Sequence, residues 1–140
     1  MQAGRLPARR PAGLRLQALG PSTAAILSHP NVRLSVSHGS VHAAHEALAT
    51  GTPVVAIPML ADQRDMAVRV ADAGAGVWLE KSHLTAGAVR AAIQRVLATP
   101  AFAAAARVVQ KATLETGGVA RAAQIIKKAA QPRPAVPVAP

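Results

Sequence analysis

With 140 residues and a mass of 14.3 kDa, the chain has room for one hydrophobic core and excludes a complete two-domain enzyme. Hydrophobic residues make up 51% of it, yet 34 of them are alanine, with one Trp, one Phe and no Tyr, so the core is expected to be thin and built on Val and Leu. No cysteine is present, which excludes disulfides, Cys-based zinc sites and thiol nucleophiles, and 16 Lys and Arg against 6 Asp and Glu give a formal charge of +10.

In chain order, residues 1–13 carry three Arg, two Pro and no acid and read as a disordered basic N-terminus. A first strand is expected at 14–19 (LRLQAL) and a second at 32–37 (VRLSVS), followed by a helix over 41–50 that closes at Gly51. PVVAI at 53–57 is the third strand, with a helix from Asp62 to Ala73, and AGVWL at 75–79 is the fourth. Thr85 to Leu97 sets Val89, Ile93, Val96 and Leu97 on one helical face, and two more helices, near 101–116 and 119–129, are separated by Gly117 and Gly118. The tail 131–140 is proline-rich and reads as disordered. Strands alternating with helices predict an α/β domain over 14–130 with a parallel sheet.

The charge raises nucleic acid, a membrane surface or a phosphate-bearing ligand as partner. Basic residues are scattered singly beyond the start, with only Lys127 and Lys128 adjacent, and a lone Trp78 and Phe102 make no stacking platform, so no nucleic acid is expected. The longest strongly apolar uncharged stretch, Ala47 to Ala61, has 15 residues and is broken by Gly51, Pro53 and Pro58, too short for an integral membrane segment. No signal or transit pattern is read, and a cytoplasmic location is expected.

Chemistry concentrates in residues 29–63, HPNVRLSVSHGSVHAAHEALATGTPVVAIPMLADQ. An apolar strand ends in Ser37-His38-Gly39-Ser40 and turns into a helix, the arrangement that offers unpaired N–H groups and a positive dipole end to a phosphate. Glu46 follows two helical turns into that helix, and Asp62-Gln63 follows the next strand, at the carboxyl edge where open parallel sheets bind ligands. Taken singly, His38 reads as a core histidine, Glu46 as a solvated carboxylate and Asp62 as a helix cap. Their joint spacing points instead to one site. His42, His45 and Glu46 share a helix but lack the geometry of a complete ligand set, so no metal is expected, and no Ser has a matched base and acid for hydrolysis.

In His29-Pro30, His38-Gly39, Glu46, Gly51-Thr52-Pro53, Pro58, Asp62-Gln63 and Ala67, the chain resembles the C-terminal donor-binding half of GT-B fold nucleotide-sugar glycosyltransferases, of the UDP-glycosyltransferase and macrolide glycosyltransferase type. The likeness runs from about Leu14 to Ala130 without an insertion. It implies a partial Rossmann-like sheet with flanking helices, the GT-B C-terminal domain fragment, and a nucleoside-diphosphate sugar of the UDP-hexose type as substrate, with no cofactor. By the same resemblance His38, Gly39 and Ser40 would meet the donor diphosphate, Glu46 the ribose hydroxyls, and Asp62 and Gln63 the hydroxyls of the transferred sugar. His29 and Pro30 look like framework.

The chain departs from the family pattern at Ser40, where the second Gly of the turn is expected, at Ala43 in place of a hydroxyl residue, and at Met66 in place of Asn. Counting back from His29 places Gly20 at the base-stacking Trp and Thr23 at a Gln. None of the five histidines matches the family's catalytic base, which belongs to the acceptor domain, so no catalytic residue is assigned. The implied functions are a partial glycosyltransferase that transfers a hexose to a small-molecule hydroxyl, a non-catalytic subunit of a split transferase with a separate acceptor-binding domain or subunit as partner, or a degenerate fragment without ligand. Two central strands of the family's sheet have no counterpart here, so the strand at 32–37 is expected to present a bare edge and the chain to be weakly stable or self-associating.

Overall fold

The computed structural model describes Gly13 and residues 22–130. The strand read at 14–19, Gly20, residues 1–12 and the tail 131–140 lie outside the described residues. The elements are α1 (Thr23–Leu27), β1 (Ser35–Ser37), α2 (Val41–Ala49), β2 (Val54–Ala56), α3 (Gln63–Asp72), β3 (Gly76–Trp78), a 3-10 turn (Lys81–His83), α4 (Ala86–Ala98), α5 (Pro100–Glu115) and α6 (Gly118–Ala129). Three of the four strands read from the sequence fall among these residues, each with a ladder of three, and all five helices read from it are present.

The strands form one parallel sheet in the order β1-β2-β3, with Ser35 opposite Val54 and Val54 opposite Gly76. Because side chains alternate along a strand, β2 feeds both faces. Val54 and Ala56 pack into a cluster with Leu27, Ala44, Leu48, Ala67, Val70 and Ala106, so α1, α2, α3 and α5 lie on that side. Val55 points the other way, against Ala92 and Val96 of α4, with Leu34, Val77, Leu79 and Phe102 around them. Helices on both faces of a parallel sheet are the Rossmann-like layout, and burial on both faces explains why β2 is continuously apolar.

Local chemistry sets the helix ends. The Ser22, Ser40 and Thr85 side chains accept hydrogen bonds from the amides of Ala25, Ala43 and Ala88, opening α1, α2 and α4. Pro100 opens α5 at a position whose N–H has no helical partner in any case.

The core is as thin as the composition predicts. Among the described residues, seven of the thirteen buried hydrophobic residues are alanine, and the largest fully buried side chains are Val54, Val55 and Val70. Small residues let the helices come close to the sheet, and they supply little burial; a buried Val contributes about 1.5–3 kcal/mol.

At the other extreme α6 buries nothing, and its Val119, Ile125 and Ile126 are all exposed. Among the described residues no strand pairs with the outer side of β1, and Val36 on that strand is 46% exposed. No helix among these residues is long and apolar enough to cross a membrane.

Candidate functional site

Two turns meet at the carboxyl edge of the sheet, one after β1 and one after β2. The first, His38 to Ser40, depends on Gly39, which is buried and takes φ +72°, a left-handed conformation that costs other residues energy. Its amide donates to the Ser37 hydroxyl at 3.2 Å. A Cβ placed on Gly39 would sit 3.1 Å from Ala56 Cβ and 3.6 Å from the Gln63 carbonyl oxygen, so the missing side chain is what lets the two turns touch.

Ser40 is extended at φ −61°, ψ 156° and caps α2 through its hydroxyl, which accepts from the Ala43 amide at 3.3 Å. Where the family pattern has a second glycine, this chain gains a helix cap. The amides of Val41 and His42 have no protein partner among the described residues, and the first turn of α2 holds no acid, so the positive end of the helix is open to an anion. His38 is exposed on this turn and is not a core histidine.

Glu46 lies one turn beyond His42, and the two side chains meet at 3.4 Å between Nε2 and Oε1. The Glu46 side chain is 23% exposed whereas that of His42 is 87% exposed, so the carboxylate sits in a partly sheltered position with one oxygen engaged. No group of three or more His, Asp or Glu residues able to hold a metal ion occurs among the described residues.

The second turn, residues 57–62, enters α3. Asp62 is exposed and its side chain makes no cap hydrogen bond, so the ordinary-cap reading of this residue fails. Gln63 is engaged in a way its spacing does not reveal: its Oε1 accepts from the Met59 amide at 2.8 Å and the Leu60 amide at 3.1 Å. That uses both acceptor lone pairs and leaves only Nε2 to donate to a ligand. Ala61 between them has φ +46°, the one non-glycine residue in the left-handed region among those described. Arg64, next along, is drawn toward β3, with its guanidinium 5.5 Å from the Trp78 ring centroid and 3.7 Å from the Glu80 carboxylate.

A groove of about 650 Å³ runs between α2, α3 and α5, and no motif or spacing in the chain announces it. The exposed residues Val41, His45 and Asp62 line it together with Leu48, Met66, Val70 and Val109, which supply its apolar wall. It borders the two turns without containing His38, Gly39 or Glu46, so the anion-facing end of α2 and this groove are neighbouring features. Met66, at the position of the family's Asn, packs against the core cluster. Thr23 is the exposed first residue of α1, and Gly20 lies outside the described residues. His29 accepts from the Asn31 amide at 3.2 Å through Nδ1, a local turn that fits a framework role.

The family profile described as UDP-glucoronosyl and UDP-glucosyl transferase matches residues 15–111. A UDP-glycosyltransferase of Dactylopius coccus is 38% identical over 82 residues, covering 59% of this chain and 16% of that protein. Among solved structures, the glycotransferase of kitacinnamycin superposes with a TM-score of 0.78 at 26% identity, covering 91% of this chain and 32% of the other. The spinosyn forosaminyltransferase SpnP superposes with a TM-score of 0.81 at 25% identity, covering 89% of this chain and 33% of the other. The chain thus spans about a sixth of the length of the Dactylopius coccus relative and a third of the structural ones.

Proposed function

Because the chain belongs to the UDP-glucoronosyl and UDP-glucosyl transferase family, we propose that it is the donor-binding part of an enzyme that transfers a hexose from a UDP-sugar to a hydroxyl of a small molecule. The observation that carries this reading is the contact between the two turns at Gly39. It brings the open N-terminal end of α2 beside Asp62 in the same fold as the glycosyltransferases above.

In this reading the diphosphate lies on the amides of Val41 and His42, with His38 beside them as a further donor and Ser40 shaping the turn. The two negative charges meet the helix dipole at its favourable end. Glu46 accepts from the ribose hydroxyls, for which its partly sheltered carboxylate is suited. Asp62 accepts from hydroxyls of the sugar. No metal takes part, because backbone amides and the helix end offset the diphosphate charge.

The remaining half of the chemistry is the removal of a proton from the acceptor, which needs a base within hydrogen-bond reach of its oxygen. We assign no base in this chain, and place it with the acceptor pocket on a further domain or a separate subunit. The 140-residue chain incubated with UDP-glucose and a panel of phenols and macrolides is expected to yield no multiple-turnover glycoside. Sustained product formation would contradict this division of labour.

Donor binding itself is tested by calorimetric titration of the chain with UDP and GDP. With Gly20 at the position of the stacking Trp, the base contributes little, and the two nucleotides should bind within about threefold of each other. Glu46→Ala removes a charged acceptor whose hydrogen bonds are worth about 1.5–3 kcal/mol, so both affinities should fall tenfold or more. A strong preference for uracil, or an unchanged affinity in Glu46→Ala, would refute the proposed site.

A further inference from the structure

We infer that Gln63 is a positioning residue, whose side-chain carbonyl holds the turn before α3 in the shape that presents Asp62, and that it is not an acceptor for sugar hydroxyls. The consequence for the sugar rests on the donor-binding reading above; the hold on the turn does not.

The geometry is local and specific. Oε1 of Gln63 receives the amides of Met59 and Leu60 at 2.8 and 3.1 Å, and the Gln63 amide in turn donates to the Leu60 carbonyl at 3.2 Å. Residues 59 and 60 precede α3, so these bonds close a loop and do not cap the helix. The turn they close contains Ala61 at φ +46°, a conformation an alanine adopts only when its surroundings impose it. Asp62 comes next, with no hydrogen bond of its own side chain to fix it, exposed on the lining of the groove between α2, α3 and α5. Its placement is therefore inherited from the turn. The Gln63 main chain also lies against the first turn, with its carbonyl oxygen 3.6 Å from the Cβ position of Gly39, so the clamp ties Asp62 to the anion-facing end of α2.

A side chain acting through its carbonyl oxygen can be separated from one acting through its amide nitrogen. Glutamate keeps the acceptor, since a carboxylate receives two amides at least as well, and removes the Nε2 donor. Leucine removes both.

The experiment uses the full chain labelled with 15N, as wild type, Gln63→Glu and Gln63→Leu. Amide hydrogen exchange is first measured without ligand. In the wild type the Met59 and Leu60 amides, although in an exposed loop, are expected to exchange at least about tenfold more slowly than free peptide amides; Gln63→Glu should keep that protection and Gln63→Leu should lose it. Intrinsic exchange rates in the wild type, or unchanged protection in Gln63→Leu, would overturn the clamp whatever the protein binds.

UDP and UDP-glucose are then titrated, and the ratio of the two affinities is read so that any repulsion between an added carboxylate and the diphosphate cancels. Gln63→Glu should keep the wild-type ratio within about threefold, and Gln63→Leu should bring the ratio to one. An equal loss in both variants would mean that Gln63 touches the sugar through its nitrogen, and would overturn the assignment. If UDP fails to bind to the wild type, the donor-site reading falls while the exchange data still decide the clamp.

Discussion

Replacing Gly76 with alanine is expected to unfold the protein or to lower its stability by more than about 3 kcal/mol. Gly76 opens β3 opposite Val54 of the central strand. A Cβ there would fall 2.0 Å from the Val54 carbonyl oxygen, 2.9 Å from its carbon and 3.0 Å from Val70 Cγ1. The first two are backbone atoms of a buried strand with no rotamer to change, so β3 must move off β2. The hydrogen bonds flanking the clash go with it, from the Val54 amide to the Ala75 carbonyl at 3.0 Å and from the Leu79 amide to the Ala56 carbonyl at 2.9 Å. Each buried group left unpaired costs about 1–3 kcal/mol. A core in which alanines outnumber the buried valines and leucines has little reserve to absorb that loss.

Trp78, two residues along β3 and the single tryptophan, makes the result visible as a red shift of fluorescence and a lost or lowered melt. Gly87→Ala is the matching control. Its Cβ would meet nothing nearer than Thr85 Oγ1 at 3.8 Å, so in α4 it should raise stability by about 0.5–1 kcal/mol. A Gly76→Ala protein that melts like the wild type would show that β3 does not approach β2 as described.

Gly39→Ala is the second large effect, and it should appear in binding more than in stability. The left-handed φ of +72° costs alanine about 1–2 kcal/mol, and the new methyl must be accommodated 3.1 Å from Ala56 Cβ. Relief comes by lifting the first turn away from the second, which in the proposed donor site would move the amides of Val41 and His42 away from the diphosphate. UDP affinity is expected to fall at least thirtyfold, about 2 kcal/mol. Gly51→Ala separates the two effects, because Gly51 has the same φ of +72° but follows the C-terminal end of α2, where the nearest obstacle is the flexible tip of Gln110. It should lower the melting temperature comparably and leave UDP affinity unchanged; a comparable loss of affinity in both variants would show that Gly39 acts only through stability.

The parts of this molecule legible from sequence are those that repeat a period or end on a distinctive residue. PVVAI and AGVWL announce strands because runs of apolar, β-rich residues end at turns, and α4 shows itself through Val89, Ile93, Val96 and Leu97 on one face. The turns that carry His38 and Asp62 were legible because each follows an apolar run and opens a helix, which sets both at the carboxyl edge of the sheet, whereas Glu46 lies within α2. α1 was missed, since five residues, TAAIL, are too few to show a period. The clamp at Gln63 was missed for a different reason: spacing gives a residue's place in the chain, and the choice between a side chain reaching outward and one folding back onto the Met59 and Leu60 amides is made by the loop. Ala61 offered no warning, because alanine is not a residue whose presence signals a left-handed turn.

The alanines of the core have a consequence for how such a protein can be improved. Ala56 and Ala67 are the side chains nearest the place where Gly39 brings the two turns together, and both are fully buried. The usual route to a hardier protein, enlarging small core residues until the packing tightens, would push the turns apart at these positions. Evolution and engineering therefore face the same trade here: each methyl added beneath the two turns for heat resistance would be taken from the shape of the proposed donor site. Gains that spare the two turns lie elsewhere, at helical positions such as Gly87 and on surfaces such as α6, which neither turn touches.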